Sequence, residues 1–402
     1  MPRFRGFFST ALLCALFFMA AGSASAQCAK PPQSQQDPLH MLVIGDSILW
    51  GQGLKQERKT WWRIKCWLQE KTGRPVSEKL LAHSGAAIEA VASDRALYAS
   101  NSEVPSYTPS VNQQVDDALA HYPDRGVVDL ILMNGCINDV DVRHLLNSAT
   151  RLETLEASIK EACGGRMQRL LRRTAREFPG AHLIVPGYYP IFSEETDHNR
   201  FIRMLAKKLT SRSANEEEMS DKEMRRRLVI ISNLWHEVST RSLSEAVQTV
   251  NAELAPNPRI HFAEIDFQPE HAFAAPETLL WNFKFASTNL SGLRRAIVII
   301  TLGTAAYKTN DQVRELRSRS CKEIHDRLKK KGETKSEKDA RESSYLACRY
   351  ASLGHPNQMG ALIYAESIKG QLLNLINNWR RTALNPIATE SGRNHEPINR
   401  LN

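Results

Sequence analysis

"LHMLVIGDSILWGQG", Leu39 to Gly53, sets an apolar run against an abrupt polar turn. The run from Leu39 to Ile44 suits a buried strand and is too short for a helix of ordinary length. It breaks on Gly45, Asp46 and Ser47. Gly-Asp-Ser is ordinary turn chemistry. The same turn also places a serine hydroxyl at the carboxyl end of a strand, where open parallel sheets bind their ligands. The rest of the chain decides between the two readings.

Downstream the pattern alternates. TWWRIKCWLQEKTG puts Trp61, Ile64 and Leu68 on one helical face, with Gly73 and Pro75 ending it. VSEKLLAHSG predicts a second strand ending at Ser84-Gly85, VNQQVDDALAHY a helix, and VVDLILMNG (Val127 to Gly135) a buried third strand. A long helix from about Ala149 to Phe178, a strand over His182 to Pro190, helical patterns near 196–212 and 222–253, and a strand over Arg259 to Asp266 follow. Strands alternating with helices predict a three-layer α/β/α fold around a flavodoxin-like parallel sheet. On that frame 213–227 and the charged stretch 314–342 read as helical surface insertions. HPNQMGALIYAESIKGQLLNLINNW reads as a strong amphipathic helix with Pro356 in its first turn.

In such a fold four separated elements meet on one rim. Strand one ends in Gly45-Asp46-Ser47, strand two in Ser84-Gly85, and strand three in Asn134-Gly135 followed by Cys136-Ile137-Asn138-Asp139. The last helix begins at Gly354-His355-Pro356-Asn357. Their chemistry is complementary. Ester cleavage needs a nucleophile, a base for its proton and donors for the oxyanion. Ser47 offers the hydroxyl and His355 the base, since imidazole titrates near neutrality. The N–H groups of Ser47 and Gly85 and the Asn138 amide are the candidate oxyanion donors.

The blocks GDSILWGQG, AHSGA, GCIND and GHPNQMGA, in that order from about residue 40 to 370, resemble the SGNH/GDSL hydrolase family. PGYYPIFS and FQPEHAFAAPETLLW look like stretches of its larger bacterial lipase-like members. The resemblance implies serine, glycine, asparagine and histidine roles at Ser47, Gly85, Asn138 and His355. It also implies cleavage of carboxylic esters of lipids, sugars or other acyl compounds, with neither metal nor organic cofactor. One position departs from the family. Its members usually carry an acid three residues before the histidine, and Ser352 stands there. A hydroxyl cannot stabilise imidazolium as a carboxylate does. Three outcomes stay open: a main-chain carbonyl near Ser352 orients the ring, a carboxylate reaches in from elsewhere (Asp266, Glu270 or Asp46), or activity is reduced or lost. Asp46 and Asp139 read as loop-fixing residues.

Each motif taken singly is a turn or a helix start, and only their conjunction carries weight. His83 reads as core or rim, His271 as a candidate border of a substrate channel, and His144, His236 and His261 lack metal-ligand spacing. Trp50, Tyr188 and Tyr189 are candidates for an apolar acyl pocket, although each also suits the core.

The bulk numbers agree with an ordinary globular protein: 402 residues, 42% hydrophobic and 24% charged. Residues 1–26 have two arginines, an apolar stretch and Ala-Ser-Ala before Gln27, the layout of a cleavable secretory signal, with an uncleaved anchor as the alternative. Gln27 before Cys28 argues against a lipid-attachment site. Residues 27–38 read as a linker, 39–380 as the hydrolase domain and 381–402 as a tail. The run over 296–307 is too short to span a bilayer and reads as buried core. Net charge is +9, of which Arg3 and Arg5 leave with the signal, giving +7. The basic stretch lacks interleaved aromatics, which argues against nucleic acid and leaves peripheral contact with a membrane or cell surface open. Cys28, Cys66, Cys136, Cys163, Cys321 and Cys348 remain, an even number that favours disulfides in a secreted chain. Neighbours in order are the expected pairs. No CxxC pair occurs, which argues against structural zinc. The expected protein is a periplasmic or extracellular serine esterase, lipase-like. The alternatives are an O-acetyl esterase or acetyltransferase acting on carbohydrate or peptidoglycan, and a non-catalytic binder on a hydrolase scaffold.

Overall fold

The computed structural model describes Cys28 and residues 37–89, 101–106, 108–197, 219–285 and 307–384. The expected signal 1–26, most of the linker, the helical pattern near 196–212, residues 213–218, the apolar run 296–306 and the tail from 385 lie outside the described residues.

Five parallel strands form the central sheet: β1 (Leu39–Ile44), β2 (Val76–Leu80), β3 (Val128–Met133), β4 (His182–Pro186) and β5 (Ile260–Ala263). Their order is β2-β1-β3-β4-β5, the flavodoxin-like order expected. Alternation along each strand divides the core in two. Leu42, Ile44, Ile131, Met133, Leu183 and Val185 face one layer of helices, α3 (Val111–His121), α6 (Leu152–Ile159), α7 (Met167–Glu177) and α8 (Asp221–Glu253). Met41, Val43, Leu130, Leu132 and Ile184 face the other layer, α2 (Thr60–Thr72) and α11 (Gln358–Leu384). In α2 the buried stripe is Trp61, Ile64 and Leu68, as the spacing predicts; in α11 it is Ala365, Ile368, Leu372 and Leu375. Both sheet faces are thus covered, which is why these strands read as near-continuous apolar runs.

Several boundaries move. β2 stops at Leu80, so Ser84-Gly85 sits in a turn beyond the strand rather than at its last residues. β4 stops at Pro186, whose ring removes a ladder donor. The single helix expected over 149–178 is interrupted by a π-helical stretch, Lys160–Arg166, that contains Gly164 and Gly165, residues that hold a helix weakly. Pro356 is not in the first turn of α11. It pairs in a β-bridge with Leu280, and Asn357 caps the helix by accepting from the N–H groups of Met359 and Gly360.

The charged stretch is corrected more sharply. Residues 314–342 are not merely a solvated surface. They build a helical hairpin, α9 (Arg314–Leu328) and α10 (Lys335–Arg349), preceded by a two-stranded sheet of β6 (Phe283–Phe285) and β7 (Tyr307–Thr309). Arg317 of α9 is wholly buried. Residues 219–227 likewise belong mostly to α8, a helix packed on the sheet, with Leu228 and Ile231 in the core.

Three disulfides form, Cys28–Cys66, Cys136–Cys163 and Cys321–Cys348, the pairs expected from neighbouring order. Such bonds fit an extracellular protein. Among the described residues no helix is long and apolar enough to cross a membrane.

Candidate functional site

The loop after β1 is built around a glycine. Gly45 has φ +142°, and a Cβ there would lie 2.0 Å from Asn134 Oδ1, so position 45 admits no side chain. That contact leaves Asn134, at the end of β3, free to stitch the loop down. Its Oδ1 accepts the Asp46 N–H at 3.0 Å and its Nδ2 donates to Asp46 Oδ1 at 2.8 Å. Gln114 of α3 completes the frame, accepting the Gly45 N–H at 2.7 Å and donating to the Gly45 carbonyl at 3.0 Å.

Asp46 is fully buried and caps the short helix α1 (Ser47–Trp50), accepting the Ile48 N–H at 2.9 Å. The Tyr188 hydroxyl donates to its other oxygen at 2.7 Å. Burial raises the Asp46 pKa, and the bonds from Tyr188, Ile48 and Asn134 oppose the rise. Asp46 is therefore fully engaged in fixing the loop, the role read for it from sequence, and does not contact His355.

Ser47 opens α1, so its N–H has no intrahelical partner, and none is found among the described residues. Gly85 has φ +80°, and a Cβ there would meet the Ser106 nitrogen at 2.7 Å. Its N–H is also unpaired among the described residues. The third strand's motif is tied to the same turn. Asn138 Nδ2 donates to the Ala86 carbonyl at 2.9 Å, which leaves its second amide hydrogen, and Asp139 accepts the Ile88 N–H at 2.9 Å. Arg166 Nη1 donates to Asp139 at 3.1 Å. Asp139 is structural, as expected. The turn is further fastened by Cys136, held at φ +105° before α4 (Ile137–Val140) and bonded to Cys163.

His355 arrives from the far end of the chain. Gly354, at φ +73°, turns the backbone, and the segment beside it is held by Trp281 N–H to the His355 carbonyl at 2.8 Å and Asn357 N–H to the Leu279 carbonyl at 2.8 Å. Tyr189 donates to the Gly354 carbonyl at 2.7 Å. The result is a hydrogen bond of 2.8 Å between His355 Nε2 and Ser47 Oγ, across 308 residues. Burial pushes the His355 pKa down to about 4, the main-chain carbonyls of Leu353 and Ser352 opposing, so the resting ring is neutral and able to accept a proton. On its other side Nδ1 is buried and makes no well-formed hydrogen bond.

The other candidates fall elsewhere. Asp266 accepts from Gln268, and Glu270 sits in the short turn Pro269–His271; neither contacts His355. His271 accepts the Gln268 N–H within that turn. Of the two readings open for the tyrosines, burial favours the core. Tyr188 and Tyr189 are core residues whose hydroxyls hold Asp46 and the Gly354 carbonyl. Trp50 donates its indole N–H to Glu103 at 2.9 Å and lies beneath the Lys59 ammonium, 3.3 Å from the ring centre. Among the described residues there is no group of three or more His, Cys, Asp or Glu placed to hold a metal.

Sequence reasoning passed over one cluster. Arg317 donates to Glu103 at 2.8 Å, to Asp311 Oδ2 at 2.6 Å and to Ser352 Oγ at 3.0 Å. The Ser352 hydroxyl donates to Asp311 Oδ2 at 2.7 Å. All four residues are buried.

No family model and no curated protein matches the chain. Solved structures do. A phospholipase A1 from Streptomyces albidoflavus NA297 is similar at 13% identity and TM-score 0.37, over 63% of this chain and 91% of its own. An extracellular lipase from Streptomyces rimosus is similar at 13% identity and TM-score 0.35, over 60% and 87%. The carbohydrate acetylesterase Est24 from Sinorhizobium meliloti is similar at 14% identity and TM-score 0.29, over 56% and 83%.

Proposed function

We propose that the protein is a secreted serine hydrolase of carboxylic esters, of the SGNH type. The observation that carries the reading is the 2.8 Å bond between Ser47 Oγ and His355 Nε2; the unpaired N–H groups of Ser47 and Gly85 and the second Asn138 amide hydrogen support it as candidate oxyanion donors. A nucleophile within reach of a neutral imidazole is the arrangement that acyl transfer requires.

In the first half-reaction Ser47 Oγ attacks the acyl carbon while His355 Nε2 takes its proton. The carbonyl oxygen becomes an oxyanion facing Ser47 N–H, Gly85 N–H and Asn138 Nδ2. These donors are held in place before the reaction, so they stabilise the developing charge without reorganising. His355 then protonates the departing alcohol, leaving an acyl-Ser47 ester. A water molecule, deprotonated by His355, attacks that ester. Its collapse returns Ser47 and releases the acid.

Lipid esters are the first substrate class to try and O-acetylated glycans the second; long-chain and acetyl esters side by side separate them. The test of the reading itself is covalent. A fluorophosphonate probe is expected to label the wild type and not Ser47→Ala, and absence of labelling on folded wild-type protein would sink the proposal.

A further inference from the structure

We propose that Asp311, acting through the Ser352 hydroxyl, is the positioning residue for His355 and supplies the negative charge that position 352 itself lacks. The inference rests on the reading of Ser47 and His355 as nucleophile and base.

Four observations lead to it. First, His355 spends Nε2 on Ser47, while Nδ1 is buried without a well-formed partner. The setting of the ring then depends on the Leu353 and Ser352 main-chain carbonyls that face it. Second, Ser352 does that fixing. It is wholly buried, its carbonyl accepts the His355 N–H at 3.0 Å, and its hydroxyl donates to Asp311 Oδ2 at 2.7 Å. One residue thus grips the histidine through its main chain and a carboxylate through its side chain. The Ser352 and Leu353 carbonyls then stay directed at the ring, where they favour its protonated form.

Third, Asp311 carries the sign the imidazolium needs. When Ser47 yields its proton, an imidazolium forms near the buried Arg317 guanidinium, which opposes it, while the Asp311 charge favours it. Glu103 and Asp311 both bond Arg317, and Lys59 acts on Glu103 as a second cation, so the two cations and two carboxylates balance. Burial tends to raise the Asp311 pKa, but the bonds from Arg317, Thr309 and Ser352 hold it below its ordinary value, keeping it ionised. Fourth, the neighbouring groups are accounted for. The groups facing His355 are Ser47 from α1, Tyr189 after β4 through the Gly354 carbonyl, Asp311 from the loop after β7 and Arg317 from α9. Asp311 is the acid among them, and it takes no proton in the reaction.

The test compares four full-length variants with the wild type: Ser352→Ala, Asp311→Asn, Ser352→Asp, and the exchange Asp311→Ser with Ser352→Asp. Each is read by its fluorophosphonate labelling rate and by kcat and KM on p-nitrophenyl acetate, with near-UV circular dichroism to confirm the fold. Ser352→Ala leaves the Arg317–Asp311 pair intact and so retains the buried charge balance. It is expected to lower kcat and the labelling rate by roughly 10²-fold at unchanged KM, the cost of a misplaced catalytic group. Asp311→Asn is expected to act in the same direction. Ser352→Asp alone sets two carboxylates together and stays low. The exchange restores the wild-type number of carboxylates around Arg317, one beside Glu103, and recovers most of the wild-type rate. Folded Ser352→Ala and Asp311→Asn proteins that label at the wild-type rate would overturn the inference while leaving the hydrolase reading standing. An exchange variant no faster than its parents would do the same. A wild type that does not label overturns the hydrolase reading, and this inference with it.

Discussion

The serine side and the histidine side of the site are held by opposite kinds of force. Around Ser47 the scaffold is short and strand-based: Gly45, Asp46, Asn134, Gln114 and Tyr188 meet through hydrogen bonds at the ends of β1 and β3, with one carboxylate and no cation. Around His355 the scaffold is ionic and comes from outside the sheet, through Glu103, Asp311 and Arg317 beneath Ser352. Buried hydrogen bonds at a strand end fix geometry with little dependence on solvent. A buried ion cluster is strong only when complete, because removing one member leaves an uncompensated charge. Ser47 is thus mounted on the fold's most regular part, and His355 on its most particular one.

The largest effect is expected where the serine side leaves no room. Gly45→Ala must displace Asn134 Oδ1 from 2.0 Å and hold alanine at φ +142°. A loss of about 4 kcal/mol or more in chemical denaturation is expected, the range of a broken buried network with backbone strain. A near-neutral result would show that the strand-end frame is softer than the ionic one. Next comes Asn138→Ala. It removes a proposed oxyanion donor and is expected to lower kcat by about 10²–10³-fold with little change in KM. The smallest effect sharpens the histidine side. The folded His355 pKa, about 4, lies below the unfolded value near 6.5, so the unfolded chain binds more protons between these limits. The contribution is fully present above pH 6.5 and is lost as pH falls toward 4. The stability of wild type relative to His355→Gln is expected to fall by about 1.4 kcal/mol per pH unit in that window, a difference in which the carboxylates common to both cancel. A flat difference would mean the ring is not desolvated as described.

The same contrast explains what could be read beforehand. Most residues that frame Ser47 sit next to a strand end, Gln114 of α3 being the exception, and a strand end writes a local signature: an apolar run broken by Gly-Asp-Ser, Ser-Gly or Asn-Gly. The parallel sheet and the meeting of Ser47 with His355 follow from such signatures. The ion cluster writes none. Arg317 and Glu103 stand 214 residues apart, and Ser352 and Asp311 stand 41 apart. Within a run as charged as 314–342, one buried arginine is indistinguishable from its exposed neighbours. Tyr188 and Tyr189 were hard to place for the converse reason. Aromatic character marks burial but not whether the hydroxyl will find a carboxylate or a backbone oxygen, as these two do.

The 308 residues between Ser47 and His355 carry one more implication. A ribosome must synthesise nearly the whole domain before the imidazole exists, and the last helix must dock before it reaches the serine. A polypeptide interrupted upstream of Gly354 therefore carries a hydroxyl with no proton acceptor. If Ser47 and His355 act as proposed, turnover therefore begins only when translation and docking are both finished.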